Sequence, residues 1–278
     1  MAESPSDQMA KIVSLCKRRG FVFQSSEIYG GLKSCYDYGH LGTELKRNIA
    51  NAWWNAMVDT RDDVYGLDAS IMMHPKVWQT SGHLQNFSDP LVDCLNCGQR
   101  FRADKAPQKT PGETVLYQQK KDKKTKEVEG TVASCGYVCP HCHSPHLSAE
   151  RQFRCMFQTT MGPIDPIKEF VDKFHSKNLS ATDFYQELNK AVEKSATYLR
   201  PETAQAMFVQ FLNVLQTTSA KVPFGIAQIG KSFRNEIIVE HFIFRSCEFE
   251  QMEMEFFCEP GTQGKWLDYW KEKRLNWY

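Results

Sequence analysis

The sequence predicts an α/β fold, mainly antiparallel sheet with flanking helices, interrupted by an insertion that carries two cysteine pairs. Three observations lead there. Apolar and polar residues alternate through 226–236 and 244–257, the period-two pattern of strands, and the two runs read as a long antiparallel hairpin around the loop text IIVEHFI. Leu41, Leu45, Ile49, Trp53 and Met57 recur every fourth position with Glu44, Lys46, Arg47 and Asn48 between them, the stripe of an amphipathic helix. Between about 89 and 150 the composition shifts, and Cys-x-x-Cys occurs twice.

In chain order, residues 9–38 are short and mixed, with Gly30-Gly31 marking a tight loop and Phe21, Phe23 and Ile28 expected as buried anchors. After the amphipathic helix, 64–75 (IMMHP) suggests a strand, and WQTSGHLQNFSDP reads as a polar, turn-rich loop. Lys120 to Lys126 is a basic run with almost no apolar content, read as a disordered or hairpin-tip loop, with contact to RNA phosphate as the alternative. Helices are expected over 166–175 and 182–195, the second with Ser180 and Asp183 as a capping pair. A third follows Pro201, with Met207, Phe208, Phe211, Leu212 and Leu215 on one face. These breaks divide the chain into 1–88, 89–150 and 151–278, the middle segment being the insertion.

The 278 residues can bury a substantial core. With 34 basic and 33 acidic side chains, no global field favours nucleic acid, so any such contact has to come from a local patch. The sequence has no run of the roughly 18 apolar residues that a membrane span needs, and its start lacks the basic-then-apolar pattern of a secretory signal. A cytoplasmic location without membrane association is the expectation. That compartment keeps thiols reduced, which makes a metal a better use of the cysteine pairs than disulfides.

Cys94-Leu-Asn-Cys97 and Cys139-Pro-His-Cys142 each let two thiolates approach one ion from a tight turn, and together they complete the closed tetrahedral sphere of structural zinc. Cys135, His141, His143 and His146 are possible substitutes. In the hairpin, Arg245, Cys247, Phe249, Gln251 and Glu253 are expected on one face, with Phe244, Met252, Met254 and Phe256 on the other. Arg234 and Glu236 share a face of the first strand. Guanidinium groups, an aromatic plane and carboxylates suit a nucleotide: arginine binds phosphate oxygens and an aromatic ring stacks on a base. A solvated sheet face is the plain alternative.

The text GKSFRNE followed by FRSCEFEQME resembles motif 2 of class II aminoacyl-tRNA synthetases. SSEIYGGLKSCYDYG, LKRNIANAWW, PKVWQTSGHLQNFSDP, RPETAQAMFVQF and PFGIAQIGKSFRNE are similar to glycyl-tRNA synthetase text of the dimeric type and extend the resemblance over nearly the whole chain. That resemblance implies a class II catalytic core with motif 1 in 1–88, a zinc ribbon in 89–150 and motif 2 in 151–278. It also implies ATP-dependent activation of glycine to glycyl-adenylate and transfer to tRNA(Gly), with Mg²⁺ as a cofactor and a homodimer as the assembly. Arg234, Asn235, Glu236, Phe244, Arg245 and Phe249 would bind ATP: Arg234 at the α-phosphate, Glu236 near the adenine amine, Phe249 on the base and Arg245 toward the γ-phosphate. The two arginines would be the catalytic pair. Arg100, Glu202, Phe249, Gln251 and Glu253 would surround glycine.

The sequence departs from the family text at His40, where YDYGHLG has lost a proline, at Ala206 in RPETAQA, and at Cys247, where FRSCEF has lost an arginine. Ala206 is harmless if its φ is negative. Motif 3 and an anticodon-binding domain are absent, so catalysis by these 278 residues alone is expected to be incomplete. The rival reading is a non-catalytic relative or fragment that binds RNA or a partner chain.

Overall fold

A computed structural model of the chain describes residues 5–121, 124–163, 165–174, 180–237 and 242–278. In chain order, helix α1 (Pro5–Arg19) leads into strands β1 (Val22–Gln24) and β2 (Tyr36–Tyr38), then α2 (His40–Trp54), which ends in a wider π turn over Asn55–Asp59. Strands β3 (Val64–Gly66) and β4 (Met72–Met73) precede the short helices α3 (Pro75–Thr80) and α4 (His83–Asn86). Next come β5 (Ser88–Asp93), β6 (Arg100–Arg102), β7 (Thr114–Lys121), β8 (Lys124–Thr131), β9 (Arg151–Arg154) and β10 (Gln158–Thr160). The remainder holds α5 (Pro166–Phe174), α6 (Ala181–Ser195), β11 (Ala196–Leu199), α7 (Ala204–Thr218), β12 (Phe224–Phe233), β13 (Glu248–Phe257) and α8 (Gln263–Trp277).

The chain divides into two compact units. One comprises Met1–Ser81, Phe157–Arg234 and Val239–Tyr278, and the other Gly82–Met156 and Asn235–Ile238. The first, the sheet unit, is organised by the antiparallel ladder of β12 and β13, extended on the β12 side by β3 in parallel. A second sheet has the order β10-β11-β4, and β1 pairs with β2. Direct cross-strand partners share a face. Phe224, Ile226, Gln228, Gly230 and Ser232 therefore stand with Phe257, Glu255, Glu253, Gln251 and Phe249, and the intervening residues point the other way.

Both faces of β12 are covered. On one, Ala227 and Ile229 pack with Met254 against Trp53, Met57 and Val64. On the other, Phe224 and Ile226 pack against Met207, Phe211, Val214 and Leu215 of α7. The stripe of α2 therefore divides: Trp53 and Met57 are buried at 3% and 4%, whereas Leu41, Leu45 and Ile49 keep 42%, 51% and 43% of their surface. The apolar face of α7 is narrower than its spacing suggests, because Phe208 and Leu212 are exposed.

Several local expectations are corrected. Ile28 and Phe23 are exposed and Phe21 is only partly buried, while Val22 is the buried apolar side chain of that segment. WQTSG is not a loop: Pro75 opens α3, the His74 ring accepts from Lys76 N–H, and Trp78 is wholly buried, so one anchor and one cap order six polar-looking residues. The long strands end earlier than expected, at Phe233, and begin later, at Glu248, because Arg245 to Cys247 form a turn. Phe244, expected on the core face, is exposed. The strand expected over 64–75 is two separate strands, β3 and β4, and Arg234 and Glu236 lie past the end of β12 instead of on its face. Three other expectations hold. Gly30 and Gly31 adopt positive φ, Ser180 caps α6 by accepting from Asp183 N–H at 3.1 Å, and Ala206 lies inside α7, where φ is negative. His175, expected to end α5, lies outside the described residues, as do Ile238, Val239, Glu240 and His241 of the hairpin loop text.

The second unit, the cysteine unit, contains the three-stranded sheet β6-β5-β9 and the hairpin β7-β8. That ladder runs to Lys121 opposite Lys124, so the basic run occupies a hairpin tip; Asp122 and Lys123 lie outside the described residues. Val92, Phe101 and Tyr137 form its core together with Cys94, Cys139 and Cys142.

Candidate functional site

In the cysteine unit, Cys94, Cys97, Cys139 and Cys142 converge until their Sγ atoms all lie within 4.8 Å of one another. Cys94 and Cys142 are 3.6 Å apart, and Cys97 and Cys139 3.7 Å. Four thiolates around one zinc at about 2.3 Å would be separated by about 3.8 Å, so the cluster fits a tetrahedral ion as it stands. Three donors support the sulfurs: Cys97 N–H toward Cys94, His141 N–H toward Cys139, and the Asn96 amide toward Cys142. Burial pushes the Cys139 thiol well above its ordinary range. A divalent cation is what would let clustered thiols ionise together. The alternative ligands serve elsewhere: His146 Nε2 meets Tyr117 Oη at 3.1 Å and Cys135 donates to the Tyr137 carbonyl.

Arg100 also belongs to this unit. Its Nε donates to Asp93 Oδ1 at 2.7 Å, and Arg151 pairs with the same carboxylate. The Arg100 guanidinium holds Asp93 below the usual carboxylate range. Asn235 donates its N–H to the Cys155 carbonyl at 2.7 Å, and Glu236 lies near enough for its charge to join burial and Asp89 in raising the Cys155 thiol to about 11.

In the sheet unit, the polar face of β12-β13 gathers the other predicted side chains. Phe249, Gln251 and Glu253 follow one another at alternate positions. Arg234 stands just past β12, its Cζ 5.3 Å from the centre of the Phe249 ring and its Nε donating to the Pro201 carbonyl at 3.0 Å. Its own N–H is held by the Cys247 carbonyl at 2.9 Å. Arg245 occupies the turn before β13, and Ser34 Oγ donates to its carbonyl. Glu202 is half-buried at the entry to α7, where the buried Thr203 hydroxyl donates to Glu253.

Sequence reasoning missed four residues here. Glu255 follows Glu253 on the same face; burial first, then the charges of Glu253 and Glu202, raise its pKa. Gln228, opposite Glu253, is fully buried: Ala69 N–H donates to its carbonyl oxygen, while its Nε2 has no partner among the described residues. Ser232 donates to Gln251 at 2.6 Å. Arg200, 1% exposed, donates Nε to the Lys231 carbonyl at 2.7 Å and Nη1 to that of Ala69 at 2.9 Å. A Cβ on Gly230 would collide with its guanidinium, which explains a glycine in the middle of this strand. Glu255 was legible in principle, two positions after Glu253, but burial made it distinctive. The apolar groove of about 570 Å³ lined by Met254, Phe256, Trp266 and Trp270 lies on the opposite face of β13.

No family model matches the chain. Among curated proteins, it is 47% identical over 270 residues to a glycine–tRNA ligase of Treponema denticola, covering 97% of the chain and 49% of that protein. A glycine–tRNA ligase of Mycolicibacterium vanbaalenii is 48% identical over 269 residues, with 96% and 50% covered. One of Geobacillus thermodenitrificans is 46% identical over 271 residues, with 97% and 52% covered. The chain thus spans about half the length of the curated relatives it matches.

Proposed function

We propose that this chain, a homologue of glycine–tRNA ligases over nearly all of its length, is the N-terminal portion of a glycyl-tRNA synthetase and carries its ATP and glycine subsites on a class II core. The observation that carries this reading is the polar sheet face. It sets a guanidinium against an aromatic ring, Arg234 by Phe249, and continues along the same strand into Gln251, Glu253 and Glu255. The first pair suits a phosphate and a base. The carboxylates suit an ammonium group, and Gln228 Nε2 is a buried donor suited to a carboxylate.

In this reading glycine attacks the α-phosphorus of ATP, pyrophosphate leaves, and the glycyl group passes to the 3′ end of tRNA(Gly). Such chemistry depends on positioning and charge neutralisation, not on a protein nucleophile. Arg234 and Arg245 would neutralise the phosphates, with Asn235, Glu236 and Phe244 completing the nucleotide site; bound Mg²⁺ would supply further neutralisation. Glu202 and Glu253 would hold the glycine ammonium, with Glu253 oriented by Thr203; the family resemblance adds Arg100 to the glycine set. Zinc, held by the four cysteines, would order that unit. Excluding a methyl group would separate glycine from alanine, because a filled space rejects bulk more sharply than a pocket rewards it.

The exposed Leu41, Leu45 and Ile49 stripe supports a homodimer contact. No helix among the described residues is long and apolar enough to cross a membrane, and a cytoplasmic setting accords with reduced thiols and translation. The test is calorimetric titration of the zinc-loaded chain with ATP and Mg²⁺, alongside Arg234→Ala. Saturable binding that the variant loses is the expected result. Equal binding by both proteins, or none by the folded parent, would overturn the assignment of the nucleotide subsite.

A further inference from the structure

Ten cysteines are present, and four form the metal cluster. Of the others, Cys135 and Cys155 donate to backbone carbonyls. Cys35 and Cys247 instead meet each other. Cys247 donates its N–H to the Ser34 carbonyl at 2.7 Å, and the two thiols lie near enough for the charge of one to act on the other. Ordinary bond lengths make that backbone bond hold the two Cα atoms within about 7 Å, close to the span of about 4.4–6.8 Å that a disulfide bridges. The segments are fixed around them. Ser34 is 2% exposed and its hydroxyl donates to the Arg245 carbonyl, and the ring of Tyr36 lies edge-on to Phe242 at 5.1 Å. Both cysteines are partly accessible, so a small oxidant can reach them.

We propose that Cys35 and Cys247 are an oxidisable dithiol, a modification site that hydroperoxides close to a disulfide. Cys247 sulfur attacks the peroxide oxygen, forming a sulfenic acid and releasing water. Cys35 sulfur then displaces the hydroxyl from that sulfenic sulfur, and its proton leaves with the hydroxyl as a second water. Two thiols and one hydrogen peroxide thus give one disulfide and two waters. Cys35 suits the resolving role: burial, and then the nearby charges of Cys247, Glu248 and Asp37, raise its pKa and disfavour its thiolate. Closure would fasten the segment before β2 to the turn that enters β13. Because the Cys247 carbonyl holds Arg234 N–H, strain from closure would reach Arg234. That last consequence rests on the nucleotide subsite proposed above; the cross-link itself does not.

The experiment is graded hydrogen peroxide treatment of the zinc-loaded protein, blocking of free thiols, and non-reducing tryptic mapping by mass spectrometry. The expected product joins peptide 34–46 to peptide 246–265, with the loss of about 2 Da that a disulfide requires. Peptide 246–265 also contains Cys258, so fragmentation must place the bridge at Cys247. The product should persist in Cys258→Ser and vanish in Cys247→Ser. Separate blocking of Cys35 and Cys247 after peroxide treatment, or sulfinic acid on Cys247 with Cys35 free, would overturn the proposal. ATP titration of the oxidised protein provides the second readout. Weakened binding restored by dithiothreitol supports transmission to Arg234, and unchanged binding in a cross-linked protein overturns that transmission. If the reduced protein binds no ATP, the nucleotide subsite has failed and the cross-link is judged by the mapping alone.

Discussion

In the cysteine unit, ordering begins with contacts between near neighbours: Cys97 N–H reaches Cys94 Sγ, His141 N–H reaches Cys139 Sγ, and the two turns then share one cluster. In the sheet unit the corresponding work is done across long stretches of chain, as Trp53 and Met57 pack on Ala227 and Met254, and Met207 on Phe224 and Ile226. The small core of the cysteine unit includes three of the four clustered cysteines, Cys94, Cys139 and Cys142. Candidate metal site and core are therefore one object there, whereas the core of the sheet unit is built from apolar side chains. A short segment can acquire a stable fold from a closed metal site, but a sheet buried on both faces has to be completed by distant residues.

Metal removal exploits that difference most directly. A closed structural zinc site is worth on the order of 10 kcal/mol. Chelation, or Cys139→Ser, should therefore abolish hydrogen-exchange protection across Val92, Phe101 and Val138, while β12 and β13 stay protected. Loss of protection in both units would mean that their stabilities are not separable. The converse change is Trp53→Ala, which removes a side chain 3% exposed from the sheet core. It should cost about 3–5 kcal/mol, seen as a lower denaturant midpoint for the sheet unit with zinc content unchanged.

A smaller effect is expected at a helix end. Ser180→Ala removes the cap of α6 and should cost about 1 kcal/mol, read as faster exchange in the first turn of that helix and no change in zinc content. The smallest separates function from fold. The folded-state pKa of Glu255 lies above its ordinary value of 4.5, so the stability that comes from its protonation is complete below about that pH and is lost as pH rises through the folded value. Glu255→Gln mimics the neutral form. Its thermal midpoint relative to the parent should therefore rise between acidic and neutral pH, with the gain shrinking when an ammonium ligand such as glycine is added. A midpoint difference that stays flat with pH would mean that burial and the neighbouring carboxylates do not act on Glu255.

Much was legible beforehand because it is written in local patterns. The cysteine spacing implied one shared cluster, Ser180 and Asp183 implied a cap, and alternation along 249–253 placed Phe249, Gln251 and Glu253 on one face. Other features resisted reading because their cause is distant. WQTSG looks like loop text, yet Trp78 is wholly buried and α3 forms around it. Ile28 looks like an anchor, yet nothing covers it among the described residues. Arg200 and Gln228 look like surface polar groups until the strands that bury them are assembled.

The sequence by itself determined which chemistry the chain carries, because side-chain type and spacing at two or three positions suffice to bring thiolates to an ion or put an aromatic and a carboxylate on one strand face. Only the tertiary structure decided how that chemistry is tuned. The depth of Glu255, the Gln228 Nε2 that has no partner among the described residues, the guanidinium of Arg200 across Gly230 and the meeting of Cys35 with Cys247 all depend on which distant segments exclude water from them. Burial is a property of the assembled chain, and no window of sequence contains it.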